Sequence, residues 1–119
     1  MLPNKKVLFA IVVAAAAFVA FGGPGKTNVS GEEAHQLVKQ GAFLLDVRTE
    51  GEFAGGHVDG AVNIPVQVLD SRLASLPAKK DATIVVYCQS GRRSAMAREM
   101  LEKAGYTHVV DLGAMSNWR

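Results

Sequence analysis

From residue 29 onward, short apolar runs alternate with stretches of helical spacing, and this alternation restricts the chain to few folds. Phe43-Leu44-Leu45-Asp46-Val47 and Ala82 to Tyr87 are brief and almost continuously apolar, the pattern of strands covered on both faces. Ser30 and Glu33 are spaced as a capping box ahead of Ala34, Leu37 and Val38, and Gly41 closes that helix. A polar, glycine-rich stretch, Thr49 to Gly60, has room for one helical turn. Ala61 to Ile64 reads as a short strand stopped by Pro65. Val66, Leu69, Leu73 and Leu76 recur at helical spacing up to Pro77, and a further helix is expected over Ser94 to Ala104, ended by Gly105. His108 to Asp111 is a last strand, followed by a terminal turn from Gly113 to Trp118. Such a sequence predicts an α/β domain with a central, mainly parallel sheet and helices on both faces. Ligands of these sheets bind beyond the carboxyl ends of the strands. Asp46 and Cys88 both stand at such ends.

The first residues do not belong to that domain. Lys5 and Lys6 precede an uncharged apolar run of 15 residues, Val7 to Phe21, and then Gly22-Gly23-Pro24-Gly25. A basic start, an apolar stretch and small residues form the layout of an export signal. As a helix the run spans roughly 22 Å against a bilayer core of ~30 Å, short for a permanent span. Ala20 and Gly22 are spaced for cleavage after Gly22, and no cysteine follows as a lipidation site. The expected organisation is therefore a signal peptide or N-terminal membrane anchor over 1–22, a linker over 23–28 and one domain over 29–119. The domain is expected in the periplasm, or held to the inner membrane by residues 7–21 if the leader is retained.

The leader also accounts for much of the charge. The chain has 13 Lys and Arg against 11 Asp and Glu; without Lys5 and Lys6 the balance is 11 to 11. No basic stripe remains, which excludes nucleic acid as a natural partner. His35, His57 and His108 are scattered without zinc-type spacing, so no metal is implied.

Cys88 is the sole cysteine. Exported chains usually carry cysteines in even numbers for disulfides, so a single one is a free reactive thiol or pairs with another molecule; the plain alternative is a small core residue. It lies where the Thr83–Tyr87 run meets the loop Gln89-Ser90-Gly91-Arg92-Arg93-Ser94. If six residues, Cys88 to Arg93, curl around the sulfur ahead of a helix, backbone N–H groups converge on it. Lowering a thiol pKa by two units from about 8.5 makes it mostly thiolate at neutral pH and requires ~2.7 kcal/mol. A thiolate so placed can attack an electrophilic sulfur, hold it as a persulfide and pass it on.

Cys88-Gln89-Ser90-Gly91-Arg92-Arg93-Ser94 resembles the C-x-x-G-x-R-S active-site loop of the rhodanese family of sulfurtransferases. Asp46-Val47-Arg48, Glu52-Phe53 and Gly56 to Pro65 resemble that family's upstream signature, and 105–109 with Gly113-Ala114-Met115 and Trp118 its C-terminal pattern. The likeness spans Val29 to Trp118, and with the leader it is closest in layout to the small periplasmic members of the phage-shock type. It implies a rhodanese-like domain that moves sulfane sulfur from thiosulfate or a persulfide to cyanide or a thiol, without a cofactor. It further implies Cys88 as nucleophile and Gln89, Ser90, Gly91, Arg92 and Arg93 as the cradle for substrate.

The neighbouring residues have two readings each. Arg92 and Arg93 either recruit an anion or are solvated charges. Asp46, Arg48 and Glu52 form either an acid–base group or, the favoured reading, a buried ion pair that pins the polar segment. His57 is expected to donate within its glycine-rich turn, Asn63 to anchor a turn, and Met115 and Trp118 to pack on the sheet. Two rival functions share Cys88. One is a sulfur carrier or interaction module with little small-molecule turnover. The other is a cysteine phosphatase or arsenate reductase, which separates cysteine and arginine by five residues where this chain has four between Cys88 and Arg93.

Overall fold

The computed structural model describes residues 28–119; the expected leader, 1–22, and the linker up to residue 27 lie outside the described residues. Helix α1 (Gly31–Lys39) opens on the expected capping box, Ser30 accepting from the Glu33 amide and Glu33 from the Ser30 amide. Strand β1 (Phe43–Asp46) leads to a short helix α2 (Glu50–Ala54), which has a second capping box between Thr49 and Glu52. Strand β2 (Val62–Asn63), helix α3 (Val66–Arg72), strand β3 (Thr83–Cys88), helix α4 (Arg92–Lys103) and strand β4 (His108–Ala114) follow. The leucine periodicity after Val66 is not one helix: it tightens at Arg72 into a 3₁₀ turn, Leu73–Ser75.

The sheet is parallel throughout, in the order β2-β1-β3-β4. Its two faces account for the continuous apolar runs. Leu45, Ile84, Val86 and Cys88 pack with Leu69, Ala97 and Leu101 on the side of α3 and α4. Leu44, Val85 and Tyr87 pack with Ala34 and Leu37 of α1, and with Met115 and Trp118, on the other. Leu45 and Leu101 are fully buried, and trimming such a leucine to alanine costs about 2–5 kcal/mol. The fold is therefore the α/β architecture that the sequence predicts.

Two boundaries differ from the sequence reading. Helix α4 begins at Arg92 rather than Ser94, so three residues, not six, separate β3 from the helix. Gly91 causes this: at φ 108° it turns the chain straight into the helix with no side-chain cap, a conformation open mainly to glycine. Strand β4 continues past Asp111 to Ala114, because a register shift between Val86 and Tyr87 lets Tyr87 pair with Gly113 and Cys88 with Ala114.

The chain leaves β1 toward β2 on one side and returns to β3 on the other. The ends of β1 and β3 thus flank the point where the strand order reverses, the usual place for a crevice in a parallel sheet. Asp46 and Cys88 end those two strands.

Candidate active site

Cys88 is buried to 0 % exposure and belongs on one side to the apolar cluster with Ala97 and Leu101. Its other side is the loop Gln89–Gly91, of which Gln89 and Ser90 are exposed. The Gly91 N–H donates to the sulfur at 2.9 Å. Burial alone pushes the thiol pKa up. Hydrogen bonds from the Ser94 hydroxyl and from the amides of Ser94, Gly91 and Ser90 outweigh it and leave the thiol below its ordinary value. These donors sit at the N-terminus of a 12-residue helix, whose partial positive charge favours the anion as well.

Ser94 was not among the residues singled out for the site. Its hydroxyl is fully buried and also donates to the Gly91 carbonyl at 3.0 Å. One hydroxyl proton cannot serve both acceptors at once, so donation to the sulfur requires it to turn away from Gly91.

The carboxylates and guanidinium groups pair differently from the single cluster the sequence suggests. Asp46 and Arg48 do form a buried ion pair: Arg48 Nε lies 3.1 Å from both Asp46 oxygens and Nη2 2.7 Å from Oδ2. The same guanidinium donates to the Gly56 carbonyl at 2.7 Å and to Gln89 Oε1 at 3.2 Å, tying the polar segment to the loop over the sulfur. The hydrogen bonds that Arg48 donates to Asp46 raise the Arg48 pKa. Asn63 Nδ2 donates to the carbonyls of Asp46 and Arg48 at 3.0 and 2.9 Å, fixing the end of β1.

Glu52 is not part of that pair. It receives Arg93 Nη1 on Oε1 at 2.7 Å and Nη2 on Oε2 at 3.0 Å, the forked geometry that guanidinium and carboxylate favour. Arg93, with the Thr49 amide behind it, lowers the Glu52 pKa to about 2. Arg93 thereby joins α2 to α4 across the loop. Arg92 is exposed.

His57 is exposed, stacks on Phe53 at 3.6 Å between ring centres and donates from Nδ1 to the Phe53 carbonyl at 3.0 Å. Both contacts keep it beside the end of α2. Tyr87, also absent from the sequence reading of the site, accepts the Val58 N–H on its hydroxyl at 3.1 Å, and burial pushes its pKa up to about 12. Among the described residues no three His, Cys, Asp or Glu side chains gather as a metal site, and no helix is long and apolar enough to cross a membrane.

Known proteins share this fold. Residues 30–119 match the Rhodanese-like domain. The chain is 40% identical over 73 residues to thiosulfate sulfurtransferase PspE of Escherichia coli, covering 61% of this chain and 70% of that protein. It is 35% identical over 108 residues to the Homo sapiens thiosulfate:glutathione sulfurtransferase, covering 79% and 94%. Among solved structures, the human single-domain sulfurtransferase TSTD1 superposes with a TM-score of 0.73 at 34% identity, over 79% of this chain and 96% of that one. An E. coli rhodanese with anions gives 0.60 at 38% identity, over 64% and 89%.

Proposed function

The chain belongs to the rhodanese-like family of sulfurtransferases, and from that premise we propose that it moves sulfane sulfur from thiosulfate or a persulfide to cyanide or a thiol through a persulfide on Cys88. The Cys88 thiolate attacks the outer sulfur of thiosulfate. A sulfur–sulfur bond forms to Cys88, the bond to the sulfonate sulfur breaks, and sulfite leaves with the electron pair. Cyanide or a thiolate then attacks the outer sulfur of the persulfide, and Cys88 departs as the thiolate that began the cycle. No oxidant, metal or organic cofactor is consumed.

The observation that carries this reading is the 2.9 Å hydrogen bond from Gly91 N–H to the sulfur, in a buried site with further donors from Ser90 and Ser94. Donors fixed in advance stabilise a charge that must form and re-form on one atom. Gln89, Ser90 and Gly91 cover the sulfur where donor and acceptor arrive. Asp46, Arg48, Glu52 and His57 act as supports. The engagement of Arg93 by Glu52 counts against a phosphatase, which needs its arginine turned toward a tetrahedral anion.

The leader belongs to the same proposal: residues 1–22 direct the domain across a membrane and 29–119 work on its far side. Steady-state assay with thiosulfate and cyanide or a thiol tests the function. Turnover is expected for the protein as it stands and none for Cys88→Ser with its circular dichroism unchanged. Mass spectrometry of the thiosulfate-treated protein should show a gain of one sulfur. Activity surviving in Cys88→Ser overturns the reading, and a persulfide that forms without turnover points to a dedicated sulfur carrier. Equal or faster hydrolysis of p-nitrophenyl phosphate supports the phosphatase.

A further inference from the structure

We propose that the two loop arginines divide their work, Arg93 serving as a strut neutralised by Glu52 while Arg92 supplies the uncompensated positive charge that draws anionic sulfur donors to Cys88. The assignment rests on the sulfurtransferase reading above and names the residue that selects the charge of its substrate. Sequence leaves open which arginine meets the anion: they are neighbours four and five positions after the cysteine, and the C-x-x-G-x-R-S pattern fixes only Arg93. Geometry separates them. Arg93 gives two hydrogen bonds to one carboxylate, at 2.7 and 3.0 Å, and its side chain is only 25 % exposed. A guanidinium held in this fork has committed to Glu52 the Nη1/Nη2 edge with which it would clasp an oxyanion.

The other cations near the loop are committed as well: Arg98, which lines a pocket with Gly91, pairs with Glu102 at 2.8 Å. Arg48 is 3 % exposed and bonded to Asp46, the Gly56 carbonyl and Gln89. Charge at the ends of β1 and β3 therefore cancels in pairs: Asp46 with Arg48, and Glu52 with Arg93. Arg92 is different. It is the first residue of α4, next to the Gly91 whose amide holds the sulfur, and it is exposed. Among the described residues no hydrogen bond or ion pair engages it. Its long side chain is thus available to an incoming sulfonate.

Alkylation of Cys88 by iodoacetate, an anion, and iodoacetamide, its neutral counterpart, tests the assignment without any sulfur transfer. Both reagents need the same thiolate and the same movement of the loop, so the ratio of their rates isolates the effect of charge. A unit charge acting over several ångströms in a wet site changes that ratio by about threefold to tenfold. Arg92→Gln is expected to lower the ratio by that factor, and 0.5 M salt to erase the difference from the unsubstituted protein. Glu52→Gln, which releases Arg93, is expected to raise it. The double variant Glu52→Gln/Arg93→Gln removes the pair without net charge and should leave the ratio within twofold.

A double variant that lowers the ratio as much as Arg92→Gln, or an Arg92→Gln ratio that does not move, overturns the division of work. Thiosulfate kinetics read the two proposals apart. A raised KM in Arg92→Gln, larger than the fall in kcat, supports both. An unsubstituted protein that keeps the alkylation pattern but never turns over thiosulfate refutes the sulfurtransferase reading while upholding Arg92 as the recruiting charge.

Discussion

The amide of Gly91 donates to the sulfur of Cys88, three residues before it, at 2.9 Å. This closes a ring tighter than a helical turn, and Gly91 at φ 108° then turns the chain directly into α4. An alanine here meets the Gly113 Cα at 3.9 Å, an ordinary contact. The cost of Gly91→Ala is therefore backbone strain, about 1–2 kcal/mol. Loss of the aligned amide should also raise the Cys88 pKa, read as an alkylation midpoint moved to higher pH. An unchanged midpoint refutes the role given to this amide.

Ser94→Ala should act on the sulfur with less effect on the fold. It removes a hydroxyl that lowers the Cys88 pKa and leaves the amide donors in place. The sign follows from linkage. The folded thiol has the lower pKa, so the folded state gains stability from Cys88 as pH rises through that value, and holds it in full above the pKa of the unfolded thiol. In Ser94→Ala the alkylation midpoint should rise and this gain with pH should shrink. Denaturation midpoints between pH 6 and 10 measure the second effect.

Arg48→Met should be the most damaging change at the site. Asp46 is 0 % exposed, and removing its partner leaves a buried charge, at about 3–5 kcal/mol. Asp46→Leu/Arg48→Met removes both charges and is expected to recover part of that loss in urea unfolding. Sulfur transfer should stay low in the double variant, because the Arg48 contact to Gln89 is gone. Full recovery of activity sinks the view that Arg48 positions the loop.

The strut between α2 and α4 should fail in acid. The Glu52 pKa is lowered to about 2 from 4.5, chiefly by Arg93. Its contribution is complete above the unfolded value near 4.5 and is lost as pH falls toward 2. Glu52→Gln should therefore lie below the parent protein in stability at pH 6, and the two should converge as pH drops through that window. The side chain is one-third exposed, so salt should narrow the gap. A gap that persists at pH 2 assigns the stabilisation elsewhere.

The sheet was legible because its strands are buried on both faces and read as apolar runs; Ile84, Val85 and Val86 are all fully buried. The first helix was legible from a local signal, the Ser30–Glu33 box. Ser94 misled for the same reason. Serine favours helix starts, yet here it sits inside the first turn and bonds back to Gly91, while a glycine without a side chain begins the helix. The pairing of Glu52 with Arg93 spans 41 positions, and no local pattern announces a contact set by how α2 and α4 meet. Asp46 and Arg48 are two residues apart, and their pairing was within reach of sequence.

The strand that ends in Cys88 lies inside the sheet, between β1 and β4, and this makes the lowered pKa of its thiol a late product of folding. Neither the strand nor the helix start behind it is in place until residues well past the cysteine have been added and docked. A nascent polypeptide thus carries an ordinary, mostly protonated thiol, slow to couple with oxidants or stray cysteines along the way. Chemical potency is withheld until assembly is complete, so maturation itself is the safety catch.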